Sequence, residues 1–357
     1  MSNLSGITWD HRRGWGPLEM VQNSHNQSGA SLSIDWMFQE QDQFGMIPVN
    51  EISEQCDIFF IHQSQIGQAA SDGLILSIDD TYDHYVGQAF ASCHWNEKLW
   101  ALPVDMSCHV SACKDHESIS RMNWDELLNI ASPSQMGIAL AGVNCLEVLF
   151  SLLVTGGNFL LLGQEFPLSG KVVDTLDLLK ALKSEAHPDS INWYTRDVLD
   201  ALSVGTIKFS PMVFGSIEYE INGIVYDDIP SYTGKKPHGV CSRVYAVAVS
   251  AHSKNQDEAI AFAKTMSSAA IQANEWLANG GQPASRNAWF KNMRKFSLFK
   301  NTLFTMDESF CRPTHNQWLD CQYDMFTELH DWLSKDSNDF FGIDKHLREC
   351  WAKLNQF

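Results

Sequence analysis

Short apolar runs that stop at polar clusters alternate with helical stretches over the first third of the chain. Residues 7–9 (Ile-Thr-Trp) form a β-type run that ends in Asp10, His11, Arg12 and Arg13. Gly14, Gly16 and Pro17 follow, and a helical pattern starts near Leu18, with Pro17 suited to a first turn. Residues 31–36 (SLSIDW) alternate as a strand does. Residues 57–61 (DIFFI) are continuously apolar, as in a parallel strand buried on both faces. That run ends in His62-Gln63-Ser64-Gln65, and 66–73 reads as the next helix. Residues 74–78 read as extended, and 100–104 (WALPV) as a short strand closed by Asp105. The succession is β-α-β-α-β, which predicts a mostly parallel sheet.

The middle of the chain predicts a second α/β unit. Helical signals cover 124–130, the apolar stretch from Asn144 to the Gly156-Gly157 stop, 172–185 and 193–202. Strand signals cover 137–141 (GIALA) and 207–214, the latter broken by Pro211. Residues 244–249 (VYAVAV) form one more strong strand. An amphipathic helix follows over 255–268, with Ala259, Phe262, Ala263 and Met266 on one face. From about Phe296 the periodicity is helical only. No repeat, low-complexity tract or flexible linker interrupts the pattern, so the expected crossings between domains run through strands.

Composition narrows the function classes. At 357 residues the expectation is about two domains. A net charge of -18 repels nucleic acid and anionic lipid, so neither is an expected partner. Nine cysteines at irregular spacing, without C-x-x-C, support neither a disulfide framework nor a zinc ribbon and suit a reducing compartment. His109 lies near Cys108 and Cys113, but no second ligand pair is evident, so no metal is expected. No Walker A, G-x-S-x-G or G-x-G-x-x-G motif occurs, and no cofactor is expected. The opening MSNLSGITWDH has neither a basic nor an apolar leader segment, and no apolar run approaches the roughly 20 residues of a membrane span. The expected location is cytoplasmic, or periplasmic if a leader has been removed.

Several segments together resemble the family 1 extracellular solute-binding proteins of ABC importers, the maltose-binding-protein-like group. The resemblance rests on the first strand with its polar end, DIFFIHQSQIGQAASDGLILSIDD at 57–80, WALPVDMS at 100–107 and FSPMVFGS at 209–216. It rests also on GVCSRVYAVAVSAHSKNQDEAIAFAKTMSS at 239–268 and on the WLANGGQPASR turn at 276–286. The order of these segments, more than any one of them, carries it. The resemblance implies an α/β, two-lobe periplasmic-binding-protein-like fold (type II). Each lobe would be a mostly parallel sheet flanked by helices, and the C-terminal part would be helical. Residues 1–104 with 240–296 would form the first lobe and 105–239 with 297–357 the second. A ligand would lie in a cleft between them, with hinge closure. The family's leader and lipoprotein cysteine are absent from this sequence.

By position, the resemblance implies ligand-binding roles for Trp9, Asp10, His11, His62, Gln63, Asp105, Asn144, Phe214 and Gly215, to which Trp36 at the end of the second strand and Arg12 as an anion-binding group are added from the residues themselves. Aromatics would stack on apolar ligand faces, Asp, Asn, Gln and His would direct hydrogen bonds, and an arginine would clamp an anion. Each has a structural alternative. Trp9 is also a core aromatic, Asp10 a cap, Arg12 and Arg13 a solvated pair, His62 a hydrogen-bonded internal histidine and Asp105 an acceptor for backbone donors. Arg243 is equally a salt-bridge residue, and Trp276, Trp289 and Trp318 read as packing.

Two functions follow. The first is binding of a sugar-like or small polar or anionic metabolite, with an ABC importer or a cytoplasmic protein as partner. The second is an enzyme built on the same fold. There His11, Asp10, His62 and Asp105 would supply acid–base groups, and Cys108, Cys145 or Cys241 would be a conceivable nucleophile.

Overall fold

Residues 2–40, 44–45, 47–80, 84–114, 117–233 and 236–355 are described by the computed structural model of the chain. They group into two units. Unit 1 holds residues 1–106, 243–293 and 311–319; unit 2 holds 107–242, 294–310 and 320–357. The chain changes unit after Met106, Ser242, Met293, Phe310 and Leu319. The first two changes fall inside continuous strands, Leu102–Cys113 and Cys241–Val249. Residues 311–319 group with unit 1, whereas the resemblance implies that 297–357 lie wholly in the second lobe.

In unit 1 the first strand, Ser2–Trp9, pairs in parallel along its whole length with Leu32–Gln39, from Ser2 opposite Leu32 to Trp9 opposite Gln39. On its other side lies Ile58–His62, also parallel. All five residues of Ile58–His62 are buried, which is why that run carries apolar side chains for both faces. Cys241–Val249 follows Ile58–His62 antiparallel, with Ile58 opposite Val249 and His62 opposite Tyr245. Trp9, Gln39, His62 and Tyr245 therefore gather at one end of the sheet, the carboxyl end of the parallel strands.

The outer strand of this sheet is partly shielded by the helix Leu18–Gln27. The Leu32 N–H donates to Asn26 Oδ1 at 2.8 Å and the Ile34 N–H to Gln22 Oε1 at 3.1 Å. Such side-chain caps protect an exposed edge from pairing with other strands.

Unit 2 is built on a buried helix, Val143–Thr155. Every residue from Asn144 to Leu153 is buried. It packs on Ser169–Glu185 and, through Phe150, on a cluster with Phe166 and Trp351. Phe209–Phe214 and Val225–Asp227 pair antiparallel with the unit 2 half of Leu102–Cys113.

Three sequence expectations change. Of residues 100–104 only the last three are strand, and they begin a far longer element, Leu102–Cys113, whose twelve residues are all buried, including Ser107, His109 and Ser111. Pro211 does not break Phe209–Phe214. The register instead shifts between Val110 and Ala112, where the proline has no N–H to give the ladder. Residues 137–141 are irregular apart from a bridge at neighbouring Met136. The Leu140 and Ala141 N–H groups both donate to the Trp193 carbonyl at 3.1 Å, which satisfies them without a strand. The helical C-terminal part is present as Ser297–Asp307, Trp318–Ser334 and Phe340–Lys353, interrupted by a two-residue strand, Phe310–Cys311. Among the described residues no helix is long and apolar enough to cross a membrane.

Candidate functional site

The sheet end in unit 1 collects most of the chemistry that the sequence singles out. Trp9 is 4% exposed. It lies beneath two half-buried rings, Phe44 at 4.9 Å between centroids and Tyr245 at 5.2 Å, and against Phe60 at 5.3 Å. Trp9 is thus a core aromatic, and the faces that reach solvent belong to Phe44 and Tyr245. Neither is legible in the sequence as a site residue. Phe44 sits in a polar loop with no periodicity, and Tyr245 reads as one position in an apolar strand.

Beyond Trp9 the chain turns sharply. The Asp10 N–H donates to the Gln39 carbonyl at 2.7 Å and the His11 N–H to the Trp9 carbonyl at 2.8 Å. His11 Nδ1 accepts from the Arg13 N–H at 3.2 Å and caps the short helix Arg12–Trp15. The turn leaves Asp10 and Arg12 exposed and His11 half-buried. Gly14 is required here, since a Cβ would lie 2.6 Å from the Trp9 ring.

Arg13 points inward. Its Nε donates to Asp105 Oδ2 at 3.0 Å and its Nη2 to Asp105 Oδ1, a two-point pair in which Asp105 is fully buried. Burial pushes the Asp105 carboxyl above the usual carboxylate range, while Arg13 pulls against that shift. Asp105 therefore anchors the apex of the first strand and is committed to Arg13.

His62 is also committed. It is 6% exposed. Its Nε2 lies 3.2 Å from Arg312 Nη2 and its Nδ1 lies 2.7 Å from Ser64 Oγ. Nδ1 also accepts the Ser64 N–H at 3.2 Å, so His62 caps the helix Gln63–Ser71. Burial, then Arg312 and Arg243, hold the imidazole well below its ordinary pKa. The ring is neutral with both nitrogens engaged, a poor arrangement for proton shuttling. Gln63 is buried, and its Oε1 accepts the Val244 N–H at 3.0 Å, which ties the helix Gln63–Ser71 to the neighbouring strand. Trp36 is half-buried, with its ring over Gly6, where a Cβ would come within 2.6 Å.

The candidates in unit 2 are packed inside it. Asn144 is 2% exposed, donates to the Ala141 carbonyl at 2.7 Å and accepts from Thr195 Oγ1 at 3.3 Å. Phe214 packs against His109 with centroids 4.1 Å apart and the rings tilted by 39°. Gly215 lies against Leu298 and Val110, with no room for a Cβ. The cysteines are poor nucleophiles: eight of nine are buried, and burial pushes the Cys108 and Cys145 thiols up. Among the described residues no group of three or more His, Cys, Asp or Glu comes together to hold a metal ion.

This architecture is that of the solute-binding proteins of ABC transporters. The GacH receptor of Streptomyces glaucescens, solved unliganded and with acarbose, superposes with a TM-score of 0.80 at 16% identity, covering 99% of this chain and 98% of that one. The maltose-bound MalE3 of T. maritima gives 0.80 at 12% identity, covering 98% of both chains. Thiaminase I from Bacillus thiaminolyticus, an enzyme by name, gives 0.70 at 13% identity, covering 92% of this chain and 100% of that one. At such identities the likeness is one of fold. No family model matches the chain, and none of the curated proteins compared with it is a match.

Proposed function

We propose that the chain binds a small sugar-like, polar solute at the carboxyl end of the unit 1 sheet. The observation that carries this reading is the pair of half-buried rings packed against Trp9, Phe44 stacked and Tyr245 tilted, close in sequence to the exposed Asp10 and Arg12. Sugar rings present apolar C–H faces to aromatics and hydroxyls to carboxylates and guanidinium groups, so this mixture of groups suits them. Supporting it, several proteins of the same fold are solved with sugars or sugar analogues bound, including acarbose, maltose and maltotetraose. Closure of the two units on the solute is part of the proposal. Its support is the passage of the chain between units inside two continuous strands, Leu102–Cys113 and Cys241–Val249, which suits a hinge. An ABC importer is the partner that the fold favours.

Catalysis is the weaker reading. Of the four acid–base groups that the sequence offers, His62 and Asp105 are each engaged by an arginine, which leaves His11 and Asp10 to that reading.

The test is a thermal-shift and calorimetric screen against neutral and charged mono- and disaccharides, with mass spectrometry of each solute after incubation. A raised Tm with the solute recovered unchanged, and a smaller radius of gyration on binding, are the expected results. Consumption of the solute would replace this reading with the enzyme, and failure of every solute to bind would remove it.

A further inference from the structure

Arg12 is the one arginine of the first apex whose guanidinium is turned outward. Its neighbour Arg13 is spent on Asp105, whereas no hydrogen bond or ion pair engages the Arg12 guanidinium among the described residues. Yet Arg12 is not a loose surface side chain. Its stem lies across Gly280: a Cβ on that glycine would stand 2.9 Å from Arg12 Cγ, 3.0 Å from Nε and 3.2 Å from Cδ. Gly280 has φ +101°, a backbone conformation that favours glycine, so the bare surface under the arginine is built in. The contact is doubled next door, where a Cβ on Gly16 would meet the Asn279 carbonyl at 2.2 Å. The next residue, Gly281, is seated on the Trp276 indole, which faces Phe60 and, through it, Trp9. The arginine's support is therefore continuous with the aromatic cluster under Phe44 and Tyr245.

We propose that Arg12 reads an anionic group on the solute, so that the preferred ligand is a polyhydroxylated anion, a sugar acid or a sugar phosphate, rather than a neutral sugar. This rests on the solute-binding reading above and adds a ligand class to it. A guanidinium offers a planar fork that matches carboxylate or phosphate oxygens in two-point fashion. Holding its stem flat on a glycine removes part of the ordering cost of using that fork. Asp10, also exposed and two residues away, can accept only from donors, so the same solute must bring hydroxyls as well as the anion. The separation fits a small molecule, because Trp9 and Arg12 are three residues apart and their Cα atoms lie within about 11 Å.

The experiment titrates D-glucose, D-glucuronate and D-glucose 6-phosphate into the full chain and into Arg12→Gln and Arg12→Lys, with far-UV circular dichroism and Tm as fold controls. The expected result is at least a tenfold preference of the unsubstituted protein for one of the two anions over glucose. Arg12→Gln should erase that preference, with affinity for the preferred anion falling at least tenfold further than affinity for glucose, and Arg12→Lys should keep only part of it. The carboxylate and phosphate arms tell which anion is read. If glucose binds as tightly as both anions, or if the preference survives Arg12→Gln, the ligand class is wrong while solute binding stands. If none of the three binds to the folded protein, both the class and the binding reading fall.

Discussion

The two units treat the ends of their strands differently. In unit 1 the residues after the first strand divide their roles: Arg13 turns in to Asp105, while Asp10 and Arg12 stay in solvent beside half-buried rings. In unit 2 the corresponding candidates, Asn144, Phe214 and Gly215, are absorbed into the interior by Thr195, His109 and Leu298. A polar or aromatic residue at the end of a strand or the start of a helix is thus equally compatible with a binding group and with an internal tie. What separates them is whether neighbouring side chains have already used their hydrogen-bonding capacity and faces.

That contrast can be broken most forcefully at the Arg13–Asp105 pair. Arg13→Ala leaves a buried carboxylate without its cation and is expected to lower unfolding free energy by about 3–5 kcal/mol in urea titration. The double variant Arg13→Met/Asp105→Leu should recover most of the loss, because no charge is then left buried. An Arg13→Ala protein as stable as the parent would mean that Asp105 is available to a ligand after all.

Gly215→Ala comes next. A Cβ there would lie 2.5 Å from Leu298 Cδ1, and overpacking of this kind costs about 1–3 kcal/mol. Solute affinity should stay within twofold of the parent in calorimetry. A large loss of affinity at unchanged stability would move the binding residues into unit 2.

Tyr245→Ala should show the reverse pattern. Solute affinity is expected to fall about tenfold, about 1.4 kcal/mol of binding free energy. Stability should change by no more than about 1–2 kcal/mol, since the ring is half-buried. Loss of stability with affinity intact would make the Phe44–Tyr245 pair mere packing.

The smallest effect is the pH dependence from His62. Its folded-state pKa lies well below its unfolded value, so the unfolded chain binds the additional proton. Its contribution to stability is full above the unfolded value of about 6.5 and is lost as pH falls below that point. Tm measured from pH 7.5 down to 5 should decline more steeply in the parent than in His62→Asn. Parallel curves would mean that the ring is not held neutral.

Much of the fold was legible because it depends on local pattern. The apolar run at 57–61 is a buried strand, and the amphipathic stretch at 255–268 is the helix Gln256–Ser267. Residues 105–113 were opaque because Ser107, His109 and Ser111 look like a surface sequence until their internal partners are known; His109, for instance, lies 2.7 Å from Ser151 Oγ. In the candidate site the apex at 10–13 was visible, but the division of labour between Arg12 and Arg13 was not. It depends on Asp105 and Gly280, which lie far away in sequence. Phe44 and Tyr245 were missed for the same reason, since only the tertiary fold lays their rings over Trp9.

Hydrogen exchange with and without the tightest-binding solute tests the central claim most directly. The account predicts slowed exchange at residues 9–13 and 243–245, with both responses weakened in Tyr245→Ala. Protection that appears elsewhere and leaves 9–13 and 243–245 unchanged would contradict it.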